Sequence, residues 1–208
     1  RMIDHFQLIV RSVVRSPDTP ISELDMVGAK ERQEIVTQWN GREIQPATRL
    51  VHQIITDNAF RFPDHIAVRY KDKSLTYEEL DRRSNQLAAV LVHAGVRPES
   101  MVAICLPKSD DLIVGILAVL KAGGAFVPID SDYPVDRIKL ILQDTECEVL
   151  VSNTTYGPII QKEKEDLLLV DVESSEVDFQ NSRLSDVDVS MQNLAYVIFT
   201  SGSTGLPK

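Results

Sequence analysis

From Thr48 onward, short apolar runs alternate with amphipathic stretches, and that rhythm leaves few folds open. Residues 66–70, 101–106, 125–129, 148–152, 167–170 and 196–199 read as strands. Between them, Leu50, Val51, Ile54, Ile55 and Ala59 keep helical spacing until Pro63, and Leu80, Ser84, Leu87, Ala88 and Leu91 form one helical face that stops at Gly95. Ser109 caps a helix running to Leu120 and ending at Gly123-Gly124, and 134–142 gives one more. Thr76-Tyr-Glu-Glu79 fits the capping box, in which threonine and glutamate side chains satisfy free N–H groups reciprocally. Strands alternating with helices imply parallel βαβ units with right-handed crossovers. The fold class expected is therefore α/β: a mostly parallel sheet with flanking helices.

The first 47 residues follow another pattern. Phe6, Ile9, Val10, Val13 and Val14 mark a helix over 4–16, broken by Pro17-Asp-Thr-Pro20. A second helix over 29–39 carries Ile35, Val36 and Trp39 and ends at Asn40-Gly41. Neither can build a core alone. The reading is a preceding domain's tail and a linker over 1–47, with the α/β domain over 48–208. The stretch 171–193, rich in Asp, Glu, Ser and Asn, reads as a solvated loop.

Composition removes several function classes. A net charge of −9 over 208 residues, with no basic stripe, argues against nucleic-acid binding. The greasiest run, 112–120, is followed by Lys121 and falls well short of the roughly 20 residues a membrane span needs. Cys105 and Cys147 form no CxxC pair and read as core thiols of an intracellular protein. His5, His52, His65 and His93 are scattered without metal-ligand spacing.

The chemistry-bearing segment is Thr200-Ser-Gly-Ser-Thr-Gly-Leu-Pro-Lys208, directly after the apolar run Tyr196-Val-Ile-Phe199. Gly202 and Gly205 permit positive φ and close backbone approach. Successive N–H groups, hydroxyls and a lysine can then hold phosphate oxygens. A Walker A loop needs lysine directly after glycine and then Ser or Thr, but here Leu206 and Pro207 intervene. The dinucleotide signature GxGxxG and the GxSxG elbow are both missing. A plain Gly/Ser linker would not require an apolar strand feeding it.

The stretch Tyr196–Lys208 resembles the phosphate-loop motif of adenylate-forming enzymes. Two further segments narrow the resemblance to adenylation domains of non-ribosomal peptide synthetases. Leu75-Thr-Tyr-Glu-Glu-Leu80 is similar to their first core motif. Leu120-Lys-Ala-Gly-Gly-Ala-Phe-Val-Pro-Ile-Asp130, continuing to Tyr133-Pro134, is similar to their second. Pro20-Ile-Ser-Glu-Leu24 and Glu34 to Trp39-Asn40 resemble the tail of a condensation domain and the linker after it.

The resemblance implies ATP-dependent activation of an amino acid to an aminoacyl-adenylate, with Mg²⁺, in the cytoplasm. The aminoacyl group then passes to a phosphopantetheine thiol on a downstream carrier domain, with a condensation domain upstream. Thr200, Ser201, Gly202, Ser203, Thr204, Gly205 and Lys208 would contact the ATP phosphates; no catalytic residue and no metal ligand is assigned. The family's amino-acid pocket, adenine and ribose motifs and catalytic lysine match nothing up to Lys208. No HHxxxDG condensation motif and no carrier-domain serine motif is found either. The chain thus reads as an adenylation domain's N-terminal part, inactive by itself. A related acyl-CoA or aryl-acid ligase and a non-catalytic docking module are the alternatives. Tyr77, Glu79 and Leu80 are expected to serve as cap and core, Gly123-Gly124 as a helix stop, and Lys121 and Asp130 as solvated ends of elements.

Overall fold

The alternation beginning at Thr48 folds as a parallel sheet in the computed structural model, which describes residues 1–41, 48–172 and 187–200. The chain divides into two units, Arg1–Ala47 and Thr48–Lys208. In the first, α1 (Met2–Arg15) is followed by a 3₁₀ turn (Ile21–Glu23) and by α2 (Ala29–Gln33). The helix expected over 29–39 is not uniform. Beyond Gln33 it widens to a π turn, Glu34–Gln38, where Trp39 N–H reaches back to Glu34 O at 3.0 Å. None of these helical residues is buried. Polar ties join α1 to α2: Arg1 Nε donates to Glu31 at 2.8 Å, and His5 Nε2 lies 2.6 Å from the same carboxylate. The Arg1 guanidinium also stacks 4.6 Å from the Trp39 ring centroid.

The second unit opens with α3 (Val51–Arg61) and a hairpin of β1 (Ile66–Tyr70) and β2 (Lys73–Thr76), turned through Lys71 at φ +52°. β2 has no counterpart among the expected strands, because Lys73-Ser-Leu-Thr76 offers one apolar residue and no alternation. There follow α4 (Tyr77–His93), β3 (Met101–Ile104), α5 (Asp110–Lys121), β4 (Ala125–Pro128), α6 (Val135–Asp144), β5 (Val149–Ser152), α7 (Gly157–Gln161) and β6 (Leu168–Asp171). The short α7, with Pro158 in its first turn, is likewise too brief to leave a periodic signal.

Strands β3 to β6 pair in parallel in the order β4–β3–β5–β6. The chain therefore steps one way from β3 to β4, then back across β3 to β5 and on to β6. Right-handed crossovers place helices on opposite faces when the stepping direction reverses. The packing obeys this. On one face Leu87 and Leu91 of α4 and Val114 and Leu117 of α5 meet Val102, Ile104, Val149 and Val151. On the other Ile138, Ile141 and Leu142 of α6 and Ile160 of α7 meet Ala103, Cys105, Val127 and Leu150. Successive strand residues thus feed alternate cores, as the two-residue pleat requires.

The expected caps are present. Glu79 N–H donates to Thr76 Oγ1 at 3.2 Å, Thr76 N–H donates to the Glu79 carboxylate at 2.8 Å, and Leu112 N–H donates to Ser109 Oγ at 3.3 Å. Gly123 ends α5 at φ +85°. At Gly124 a Cβ would sit 3.0 Å from Val96 and 3.2 Å from the Ser100 carbonyl, so only glycine lets β4 start this close. Cys105 and Cys147 are both buried thiols.

Candidate functional site

The segment leading into the Gly/Ser/Thr loop lies alongside β4. Tyr196 forms a parallel bridge to Phe126, with Phe126 N–H donating to Ala195 O and Val197 N–H donating to Phe126 O, both at 3.1 Å. The full strand expected over 196–199 is reduced to this one bridge among the described residues. Alternation persists: Val197 and Phe199 pack on the core shared with α6 and α7, while Tyr196 and Ile198 stay more than half exposed. The Tyr196 ring meets Phe126 at 5.6 Å between centroids. Because the bridge is parallel, the chain runs toward Thr200 in the direction of β4, to the carboxyl ends of the strands. Ligands of open α/β sheets bind at that pole. Thr200 is the last described residue. Ser201, Gly202, Ser203, Thr204, Gly205 and Lys208 lie outside the described residues.

The crevice where the strand order reverses, between β3 and β5, is tied shut. Ser152 Oγ donates to Cys105 O at 2.6 Å, and Cys105 N–H donates to Val151 O at 3.0 Å. Burial, and secondarily the Asp130 carboxylate, push the Cys105 thiol up to about 11. That keeps it protonated and inert. Asp130, just past β4, is exposed as expected and accepts a hydrogen bond from Asp132 N–H at 3.0 Å. Beyond it the Arg137 guanidinium stacks on Tyr133 at 4.1 Å.

Lys121 overturns its expectation. It is 4% exposed rather than solvated. Its ammonium donates to Asp81 Oδ1 at 2.7 Å, Asn85 Oδ1 at 2.7 Å, Ser84 Oγ at 2.9 Å and the Asp81 carbonyl at 3.2 Å. The reason is positional: Lys121 stands one and two turns after Leu117 and Val114, on the buried stripe of α5. Burial lowers its proton affinity, while the Asp81 carboxylate opposes the shift. Asp81 in turn accepts from Thr56 Oγ1 of α3 at 2.7 Å and from Asn85 Nδ2 at 2.9 Å. One carboxylate thereby links α3, α4 and α5. The stripe is legible in the sequence; the carboxylate forty positions away is not.

Comparison with known proteins fits this architecture. The family model described as AMP-binding enzyme matches residues 55–208, and the chain belongs to that family. Gramicidin S synthase 2 of Brevibacillus brevis is 36% identical over 209 residues, covering 100% of this chain and 5% of that protein. The chain thus spans a small part of the curated relatives it matches. Among solved structures, VinN shares the fold with a TM-score of 0.72 at 23% identity, over 79% of this chain and 46% of that one. The N-terminal subdomain of Klebsiella oxytoca NpsA aligns with a TM-score of 0.66 at 29% identity, over 77% and 41%. The α/β class and the resemblance to adenylate-forming enzymes are both borne out.

Proposed function

We propose that this chain is the N-terminal part of an adenylation domain in a non-ribosomal peptide synthetase that activates an amino acid with ATP. A carboxylate oxygen of the amino acid attacks the α-phosphorus, the bond to the bridging oxygen breaks, and pyrophosphate leaves. In this reading Thr200, Ser201, Gly202, Ser203, Thr204, Gly205 and Lys208 hold the β- and γ-phosphates, with Mg²⁺ accompanying the nucleotide. Orienting the triphosphate and stabilising the departing charge are the main demands of such a step. The aminoacyl group then moves to a phosphopantetheine thiol on a carrier domain. Residues 1–47 are the tail of a condensation domain and its linker.

The observation that supports the reading is the parallel bridge at Tyr196, which directs the described chain, as far as Thr200, toward the carboxyl pole of the sheet. The match to a gramicidin S synthase, which extends through residues 1–47, supports the multidomain setting.

ATP–pyrophosphate exchange by the synthetase containing this chain, over a panel of amino acids, tests it. Exchange with at least one amino acid is expected; none with any would refute the assignment. Exchange confined to acyl or aryl acids, with coenzyme A as acceptor, would move it to a related ligase. Within that protein, Lys208→Ala removes a charge-assisted phosphate contact of about 1.5–3 kcal/mol. Exchange should slow roughly ten- to a hundredfold, and unchanged kinetics would remove Lys208 from the site. The isolated 208 residues should show no exchange.

A further inference from the structure

The run that ends at Thr200 is fastened near its start by a glutamate standing in a position suited to glycine. Residues 97–100 form a turn closed by Ser100 N–H donating to Arg97 O at 3.0 Å. With Pro98 in second place and a positive φ in third, this is a type II turn, whose third residue is usually glycine. Here that residue is Glu99, at φ +72°. Left-handed backbone carries a steric cost for any residue with a Cβ. The Glu99 side chain reaches across to the 187–200 stretch: its Oε1 accepts from Asn193 Nδ2 at 2.7 Å and from Leu194 N–H at 3.2 Å. Asn193 is itself set by Ser190, whose N–H and Oγ donate to its Oδ1 at 2.8 and 3.0 Å. One residue beyond Leu194, Ala195 O takes the Phe126 N–H, and the chain runs on beside β4.

We propose that Glu99 is a positioning residue for phosphate binding: from the amino pole of the sheet it fixes the register of the run that reaches Thr200, where the Gly/Ser/Thr sequence begins. The role rests on the adenylation reading. Alternation alone leaves the register open. Val197 and Phe199 pack on the core while Tyr196 and Ile198 are exposed, so a slip by one residue would turn every side chain over and is resisted. A slip by two keeps the alternation, because Ala195 and Val197 can take the places of Val197 and Phe199. It would carry Thr200 about 6–7 Å along β4, and a single parallel bridge opposes it only weakly. The Glu99 bonds do oppose it. They hold Asn193 and Leu194 against a turn outside the repeat of the sheet, where no residue two places along offers the same pair of donors.

The test is ATP–pyrophosphate exchange by the synthetase containing this chain, carrying Glu99→Gly, Glu99→Gln or Asn193→Ala. Glycine suits the turn and removes the carboxylate, so Glu99→Gly deletes the bonds without straining the backbone. It should raise the KM for ATP and for pyrophosphate roughly three- to tenfold and leave the KM for the amino acid unchanged. Glutamine keeps an oxygen that accepts from both donors, and Glu99→Gln should recover most of the loss. Asn193→Ala should repeat the Glu99→Gly pattern, and combining the two should add little. Without nucleotide, the peptide covering 190–199 should take up deuterium faster in Glu99→Gly than in wild type. Unchanged KM values for ATP and pyrophosphate in Glu99→Gly overturn the proposal. So does an equal rise in the amino-acid KM, or a Glu99→Gln as impaired as Glu99→Gly. A wild-type protein that exchanges with no acid takes down the adenylation reading and this role together. Unchanged deuterium uptake in Glu99→Gly, with wild-type exchange intact, overturns this role alone.

Discussion

The two units of this chain are built on opposite principles. Among the described residues of Arg1–Ala47, α1 is strongly sided yet no helical residue is buried, and Glu31, Arg1, His5 and Trp39 tie the helices together. Thr48–Lys208 encloses two apolar cores, one on each face of a parallel sheet. Exposed ion pairs contribute about 0–1 kcal/mol each, whereas one fully buried leucine contributes about 1.5–3 kcal/mol. The contrast teaches that α1 shows Phe6, Val10 and Val14 to solvent without a core of its own.

Substitutions can break or sharpen that contrast. The largest effect is expected from Leu91→Ala, at a site with no exposed surface between α4 and the sheet. It should cost about 4 kcal/mol in urea unfolding, and a loss below about 1 kcal/mol would erase the difference between the units. Lys121→Ala should cost about 3 kcal/mol, because it strips the cation from a largely buried Asp81. A neutral result would mean the polar knot merely fills space. Thr76→Ala removes one side of the capping box and should cost about 1 kcal/mol, read in the same unfolding curves. The smallest effect belongs to the first unit. Glu31→Gln should leave unfolding of Thr48–Lys208 unchanged while amide exchange in α1 accelerates; unchanged exchange there would show that another contact holds the helix.

The first unit also answers to pH. Hydrogen bonding to His5, aided by Arg1, keeps the Glu31 carboxyl below its usual range. A depressed carboxyl stabilises above its unfolded value and loses that contribution as pH falls through the folded one. Acidification thus loosens the first unit by discharging an anion.

Long elements with strong periodicity are plain in the sequence. Thr76 and Glu79 announce the start of α4, and Gly95 and Gly123 its end and that of α5, because caps are local chemistry. Lys73–Thr76 and Gly157–Gln161 are too short for any period to show. At the candidate site, the Tyr196 run correctly signals extended chain beside the sheet, yet it contributes one bridge, since pairing depends on β4, far away in sequence. Lys121 deceives for the same reason: a lysine at a helix end resembles any solvated lysine until its carboxylate partner is located. What sequence withholds here is long-range pairing, polar or apolar.

The Phe126–Tyr196 bridge bears on how the protein comes off the ribosome. Closing it joins positions about 70 residues apart, after β3 to β6 have been made. At about 5–20 residues per second, translation needs roughly 4–14 s to cover that distance. For that interval β4 presents an unpaired edge, open to any passing strand. The nascent domain is most exposed to mispairing in the seconds before the Gly/Ser/Thr sequence emerges.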